Sequence, residues 1–297
     1  MTNTSELLNL KNPIKEIIKE TFTGLRGLLL LYTIKCQKFF VAGRFKTLLN
    51  LRKCYKKTDI QGKNIIYTCI TGNSDIIPVI HEYYSKDWNY VCFTDNKKLC
   101  NLKYFGMWKI LPLAFCRLDD TRNARWHKTH PHILFPNAEK TIWIDANINV
   151  LTSYLFDIIE HSESEMLVPL HYCRNCVYDE IAAVRVHMKD DENVVFKTER
   201  FLKSEGIPRQ YGLNETNIVY SSIDSVKCTG IFEQWWFMIE NYSKRDQLSF
   251  SYVLWKNNIP VSKISIPNVR TDLKNYAIYS HNNSGSVKDK LLKLIFK

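Results

Sequence analysis

The chain has 297 residues, 45% of them apolar and 13% aromatic, which excludes disorder and suits one large α/β domain with an appendage or two small domains. Its formal net charge of +11 sits at the ends: residues 1–60 hold 12 Lys/Arg against 4 Asp/Glu, and residues 263–297 hold 7 against 2. The centre is net negative, so the basic groove of a nucleic-acid enzyme is excluded.

The nine cysteines are odd in number and lie in apolar contexts, which fits reduced thiols in a cytoplasmic protein rather than a disulfide framework. Cys173-Arg174-Asn175-Cys176 is a CxxC with no second pair, and a zinc site needs four ligands at recognisable spacing. The N-terminus has no basic region followed by an apolar one, so no secretory signal is expected. The longest apolar run, residues 27–32, is too short to span a bilayer.

In chain order, residues 14–40 place apolar side chains at helical spacing with Lys15, Lys19, Arg26, Lys35 and Lys38 between them. Such a basic amphipathic helix either lies on an anionic membrane surface or packs on the main domain. Gly24 and Gly27 interrupt it, and residues 48–61 read as a solvated linker. Strands are predicted at 64–70 and 89–93, with a short helical segment around 79–84 between them. A strand at 108–111 precedes a helix over 121–134, opened by Asp120 or Thr121. Then come a strand at 140–144, a helix at 153–161 and a strand at 165–170. Helices follow at 178–189, 194–204, 230–242 and 246–255. The basic-apolar theme returns at 287–297, and two such ends together would favour peripheral membrane contact. This alternation predicts a mostly parallel sheet covered by helices on both faces. The expected division is a basic helical extension (1–60), a catalytic domain (61–265) and a basic tail (266–297).

Polar residues recur where apolar strands end, which in open α/β sheets is where ligands bind. Lys140–Ile144 runs directly into Asp145-Ala146-Asn147. Two residues apart, Asp145 and Asn147 project to one side, and oxygen ligands of this kind suit Mg²⁺ or Mn²⁺. An Asx turn is the competing reading. The first strand carries Thr68 and ends in a small, turn-rich loop reaching Asp75, where a nucleotide would sit. Asp95 ends the second strand, as a ribose or base acceptor or as a turn residue. GxGxxG and GxxxxGK[ST] are absent, which excludes dinucleotide and P-loop sites. Residues 121–132 are dense in cations, and on a helix Arg122, Arg125 and Lys128 or Thr129 share a face suited to a diphosphate. His130-Pro131-His132 lacks the HExxH pattern of zinc enzymes. His171 and Arg174 follow another strand as phosphate contacts, with Glu180 toward sugar hydroxyls or as a first-turn acid. Asp246, followed by Gln247, opens a helix either as a structural acid or as an acceptor-binding group or general base.

In this order, Tyr67-Thr68 to Gly72 and Asp75, Cys92-Phe93-Thr94-Asp95, Lys128 to Pro136, Trp143-Ile144-Asp145-Ala146-Asn147, His171 to Glu180 and Arg245-Asp246-Gln247-Leu248-Ser249-Phe250 resemble the domain of unknown function 616 family. That family is similar to the GT-A nucleotide-sugar transferases. The resemblance covers roughly residues 64–257. It implies a GT-A-like fold and metal-assisted transfer of a sugar from a nucleotide-diphosphate donor, UDP-linked by expectation, to a glycan or lipid-linked acceptor. Asp145 and Asn147 would stand in the place of the metal-binding Asp-x-Asp, Arg125 and Lys128 near the diphosphate, and Asp246 near the acceptor. Asn147 departs from the two-carboxylate form. A ceramidase-type hydrolase and a non-catalytic membrane-peripheral scaffold are the alternatives. The lack of a nucleophile elbow and of HExxH favours transfer.

Overall fold

The computed structural model describes residues 63–279 and 281, apart from 73, 74 and 76. The expected basic helix at 14–40 and the tail at 287–297 lie outside the described residues, and with them the segments that motivated membrane contact.

Eight strands form one sheet. β1 (Asn64–Ile70) lies near its middle, flanked by β2 (Asn89–Thr94) and β5 (Lys140–Ile144), both parallel to it. Beyond β2 come β4 (Trp108–Pro112), parallel, and the short antiparallel β3 (Tyr104–Phe105). Beyond β5 come β8 (Ile218–Ser222), antiparallel to it, then β7 (Met166–Pro169) and β9 (Ser265–Ile266). Only β3 and β8 run against the other six, so the sheet is mostly parallel, as the sequence predicts. A separate antiparallel ribbon joins β6 (Ile148–Val150) to β10 (Tyr276–Ile278).

Alternate residues of each strand serve opposite faces. On one face Ile65, Tyr67, Val91, Trp143 and Val219 pack against α5 (Val177–Val186), α6 (Glu192–Glu205), α8 (Ile231–Asn241) and α9 (Asp246–Lys256). On the other, Ile66, Tyr90, Cys92, Ile142 and Ile144 meet Ile77, Ile80, Trp108 and α4 (Tyr154–His161). The connections α1 (Lys97–Leu102), α7 (Ile223–Thr229) and α10 (Val261–Ile264) are short.

Two predicted elements differ. Residues 79–84 form no helix. Val79 and Tyr83 donate their amides to Ala146 and Val150, and Trp108 Nε1 donates to the Val79 carbonyl, so an irregular buried segment pairs with β6 and the turn before it. Val79, Ile80 and His81 are buried, and Tyr83 and Tyr84 are partly buried against the same core, so a short apolar run reads as helical without forming a turn of helix. The helix expected over 121–134 is two: α2 (Asp120–Thr129) and α3 (Pro131–Leu134). Pro131 pushes His130 out of the helical region, to φ −123° and ψ 44°. The cap of α2 is Asp119, whose carboxylate accepts from the Arg122 amide.

Candidate active site

The carboxyl ends of β5 and β7, the amino end of α9 and the β6–β10 ribbon surround a cleft of about 1130 Å³. Of the residues singled out above, Arg125, Asp145, Asn147, His171, Arg174, Glu180, Asp246 and Gln247 line it. These come from four separate stretches of chain.

Asp145 is held where β5 stops. Its amide donates to the Asn217 carbonyl, its own carbonyl accepts from Ile148, and Trp143 Nε1 donates to Oδ1 at 2.8 Å. The carboxylate is 30% exposed, and Arg125 Nη1 lies 3.9 Å from it. Asn147 is buried and gives its amide nitrogen to the Tyr279 carbonyl at 2.7 Å. That contact fixes the amide flip and leaves Oδ1 as the group with acceptor capacity. An oxygen pair of this kind is a hard-cation donor set, and it is incomplete by itself. Among the described residues, no three His, Cys, Asp or Glu side chains form a ready metal cluster.

Asp246 is the electrostatic centre of the wall. Its Oδ2 takes Lys128 Nζ at 2.6 Å and Thr216 Oγ1 at 2.8 Å. Arg125 Nε stands 3.2 Å from the same oxygen but off the hydrogen-bond axis, so it acts there by charge. Burial pushes the Asp246 carboxyl up, but Arg125, Lys128 and Arg245 outweigh it and hold the group well below the usual carboxylate range. A carboxylate so held is a weak proton acceptor and a strong hydrogen-bond acceptor. Burial pushes Lys128 down to about 8 against the attraction of Asp246, so it remains protonated at neutral pH.

Glu180 sits on the first turn of α5, also buried. Arg174 Nη1 donates to Oε2 at 2.6 Å, and His171 Nε2 lies 3.4 Å from the same oxygen. His171 Nδ1 accepts from the Arg174 and Cys173 amides, so its proton is on Nε2. Burial raises the Glu180 carboxyl, but His171, Arg174 and Arg245 overcome it and keep it below the ordinary range.

Several sequence expectations are corrected by burial. Lys128 is 1% exposed, enclosed between the rings of Trp143 and Trp235 at 5.5 and 5.6 Å, and does not line the cleft. It supports Asp246 from below, with no route to a diphosphate. Thr68 is fully buried within β1 and is likewise outside the cleft wall. Asp95 and Asp75 do not line it either: Asp95 accepts from the Gly72 amide, and Asp75 meets His281 Nδ1 at 2.9 Å. Arg122 does not share the work of Arg125. Its Nε and Nη2 donate to the carbonyls of Ile239 and Tyr242, closing the end of α8. His127 donates from Nδ1 to the Asn123 carbonyl and accepts the Ala114 amide, and burial drives it down to about 4, so it is a neutral structural residue. The described cysteines are all free.

Sequence reasoning overlooked residues 214–217, Asn-Glu-Thr-Asn, which are buried although every one is polar. They tie the site together: Asn214 donates to the ends of β7, Glu215 binds Arg270 at 2.6 Å, Thr216 binds Asp246, and Asn217 receives Asp145. Four consecutive polar residues just before an apolar strand were the available signal. Lys189, Arg245, Arg270 and His281 were also overlooked as cleft residues.

A profile of the family described as TOD1/MUCI70, glycosyltransferase-like domain, matches residues 39–273. A probable hexosyltransferase MUCI70 of Arabidopsis thaliana is 26% identical over 166 residues, 51% of this chain and 28% of that protein. The chain therefore spans less than a third of that relative's length. Among solved structures, the apo WbbM bifunctional glycosyltransferase has a TM-score of 0.41 at 10% identity, covering 73% of this chain and 40% of that one. Apo mouse xyloside xylosyltransferase 1 has a TM-score of 0.38 at 7% identity, covering 69% of this chain and 84% of its own. The glycosyltransferase GlyE of Streptococcus pneumoniae TIGR4 has a TM-score of 0.37 at 11% identity, over 69% and 45%. The family match takes in β1 to β9 and the cleft residues from Arg125 to Arg270, and on that extent the chain belongs to the TOD1/MUCI70 glycosyltransferase-like domain family, the one its ordered motifs resemble.

Proposed function

We propose that the cleft transfers a sugar from a nucleotide-diphosphate donor, UDP-linked by expectation, to a glycan or lipid-linked acceptor with the help of Mn²⁺ or Mg²⁺. The observation that supports this most is the pair at the end of β5: a half-exposed Asp145 carboxylate oriented by Trp143, beside an Asn147 whose nitrogen is already committed. The two oxygens would hold the cation together with donor phosphate oxygens and water. Bound there, the cation would offset charge on the departing diphosphate. Arg125 lies 3.9 Å from Asp145 and 3.2 Å from Asp246 and would bind phosphate oxygens by its planar fork. Asp246 accepts from Lys128 and Thr216 only through Oδ2, so Oδ1 is the atom to receive sugar hydroxyls, with Gln247 beside it. Its depressed proton affinity suits positioning rather than proton removal.

The test is thermal unfolding of the full chain with UDP and Mn²⁺ together and each alone. The combination is expected to raise the midpoint, and Asp145→Ala to remove the rise. No rise with any nucleoside diphosphate and metal would refute the proposal. No helix among the described residues is long and apolar enough to cross a membrane.

A further inference from the structure

The two walls of the cleft differ chemically. One carries the charged groups described above, from Arg125 and Asp145 to Glu180 and Asp246. The other is the β6–β10 ribbon with the turn that leads into it. Between Arg270 and His281 every residue that lines the cleft is uncharged: Leu273, Tyr276, Ala277, Ile278 and Tyr279. Leu151, just past β6, joins them. Four of these six, Leu151, Leu273, Ala277 and Ile278, keep part of their surface open, and Leu273 is 74% exposed. A single exposed leucine on a convex surface is ordinary, but a row of open apolar side chains in a cleft marks a ligand surface. Hydrogen bonds hold the row in place. The Leu151 amide donates to the Asn275 carbonyl at 2.9 Å, and Thr152 Oγ1 donates to Asn275 Oδ1 at 2.6 Å. Asn275 Nδ2 in turn donates to the Asp272 carboxylate at 2.8 Å, and the Tyr276 amide to the Asp272 carbonyl at 3.0 Å. The turn carrying Leu273 is thereby locked against the end of β6, which sets Leu273 and Leu151 at the same end of the ribbon. At the opposite end the Asn147 side chain and carbonyl meet the Tyr279 backbone. Extended chain from Asn147 to Leu151 spans about 13 Å. The apolar row therefore starts beside the proposed metal pair and runs away from it.

We propose that this row seats an apolar chain on the acceptor, so that the acceptor is a lipid-linked sugar and not a free glycan. The inference deepens the transferase reading and rests on it for the word acceptor, while the seat itself rests on the ribbon. The polar head of such an acceptor would lie at the β5 end with Asp145, Asn147 and Asp246, and its chain would leave the cleft over Leu273. Covering these side chains with an alkyl chain removes apolar surface of both partners from water, and no charged side chain of the row is desolvated. A free glycan would lay its hydroxyls on side chains that offer no open hydrogen-bonding group, since the two tyrosines of the row are buried.

The experiment is calorimetric titration of the full chain with methyl, hexyl and octyl β-glucoside, with and without UDP and Mn²⁺. Concentrations stay below the point at which the octyl compound forms micelles. The sugar is constant, so a difference reports the chain. Affinity is expected to rise with chain length, by at least about tenfold from methyl to octyl; one covered methylene is worth about fourfold, so two are enough. Leu273→Asp should remove the dependence while keeping the wild-type unfolding midpoint and its rise with UDP and Mn²⁺, because that side chain is mostly exposed. Leu273→Gln repeats the test without a charge. Phe196→Asp is the control for adventitious binding: Phe196 is exposed on α6, outside the cleft, and its loss should leave the dependence intact. Equal affinity across the series, or no binding of the octyl compound, would overturn the inference. So would a dependence that survives both Leu273 variants or disappears in Phe196→Asp. A dependence removed at Leu273, in a protein with no response to UDP and Mn²⁺, would keep the seat and refute the transferase reading. A nucleotide response without any chain-length dependence would do the reverse.

Discussion

Lys128→Met is the sharpest test of the buried charge system. Removing one member of a buried ion pair costs about 3–5 kcal/mol, mostly because the other charge is stranded. Here Asp246 keeps Thr216 at 2.8 Å and Arg125 at 3.2 Å, so the carboxylate is not wholly abandoned. Met also refills most of the space between Trp143 and Trp235, although the two cation–π contacts at 5.5 and 5.6 Å are lost. The expected loss is therefore near the lower bound, about 3 kcal/mol. For a domain of this size that lowers the melting midpoint by roughly 6–12 °C. Asp246→Asn strands two cations instead of one carboxylate and should cost more. The Lys128→Met, Asp246→Asn double variant should cost less than the sum of the single changes, because each single change leaves the other partner's charge behind. Urea unfolding with an unchanged slope measures all three. A loss under about 1 kcal/mol for Lys128→Met would refute the claim that this lysine is a structural support and return it to the ligand-binding side.

Trp143→Phe keeps a ring in the core but removes the Nε1–H that orients Asp145. It should cost about 1 kcal/mol of stability, and the midpoint rise with UDP and Mn²⁺ should shrink. A full rise in this variant would show that Asp145 is positioned without Trp143. Gly72→Ala places a Cβ at φ +60°, 2.0 Å from Asp120 Oδ2. The carboxylate can swing away, but the backbone strain stays, so a loss of roughly 1–2 kcal/mol is expected in thermal unfolding. Asp246 also gives a pH dependence. Its folded proton affinity is below the ordinary value of 3.8, so its contribution is complete above that pH and is lost as pH falls toward the folded value. Acid unfolding below pH 4 should accordingly be shallower in Asp246→Asn than in the wild type, and parallel acid curves would contradict the assignment.

The strands were legible because their runs are β-branched and aromatic. Asn64–Ile70 and Lys140–Ile144 have the bounds that the sequence predicts, and each ends where polarity begins. Residues 79–84 misled because a short run of apolar residues does not separate a helix from an irregular segment, and here the backbone pairs with β6 and the turn before it instead. β8 escaped notice since its five residues lie behind Asn-Glu-Thr-Asn, polar residues that only the folded protein buries. The same limit applies to the site. Asp145 and Asn147 are readable as a strand end, a local property. The pairing of Lys128 with Asp246 spans 118 positions, and no local pattern distinguishes that lysine from Arg125 three residues earlier. Helical spacing puts both on one face, and depth decides which one meets ligand and which one meets the core.

Depth also explains why the two ends of the cleft differ in character. At the β5 end, Trp143 is shared between the layers: its ring contacts buried Lys128 while its Nε1 holds Asp145 at the surface. Arg125 repeats that bridging above, facing both Asp246 and Asp145. The cationic members of this end are thus largely balanced by protein carboxylates, and the Asp145 carboxylate remains to attract a cation. At the α5–α9 end Glu180 is shared by Arg174, His171 and Arg245, and Glu215 takes Arg270, so the carboxylates there are engaged by protein cations.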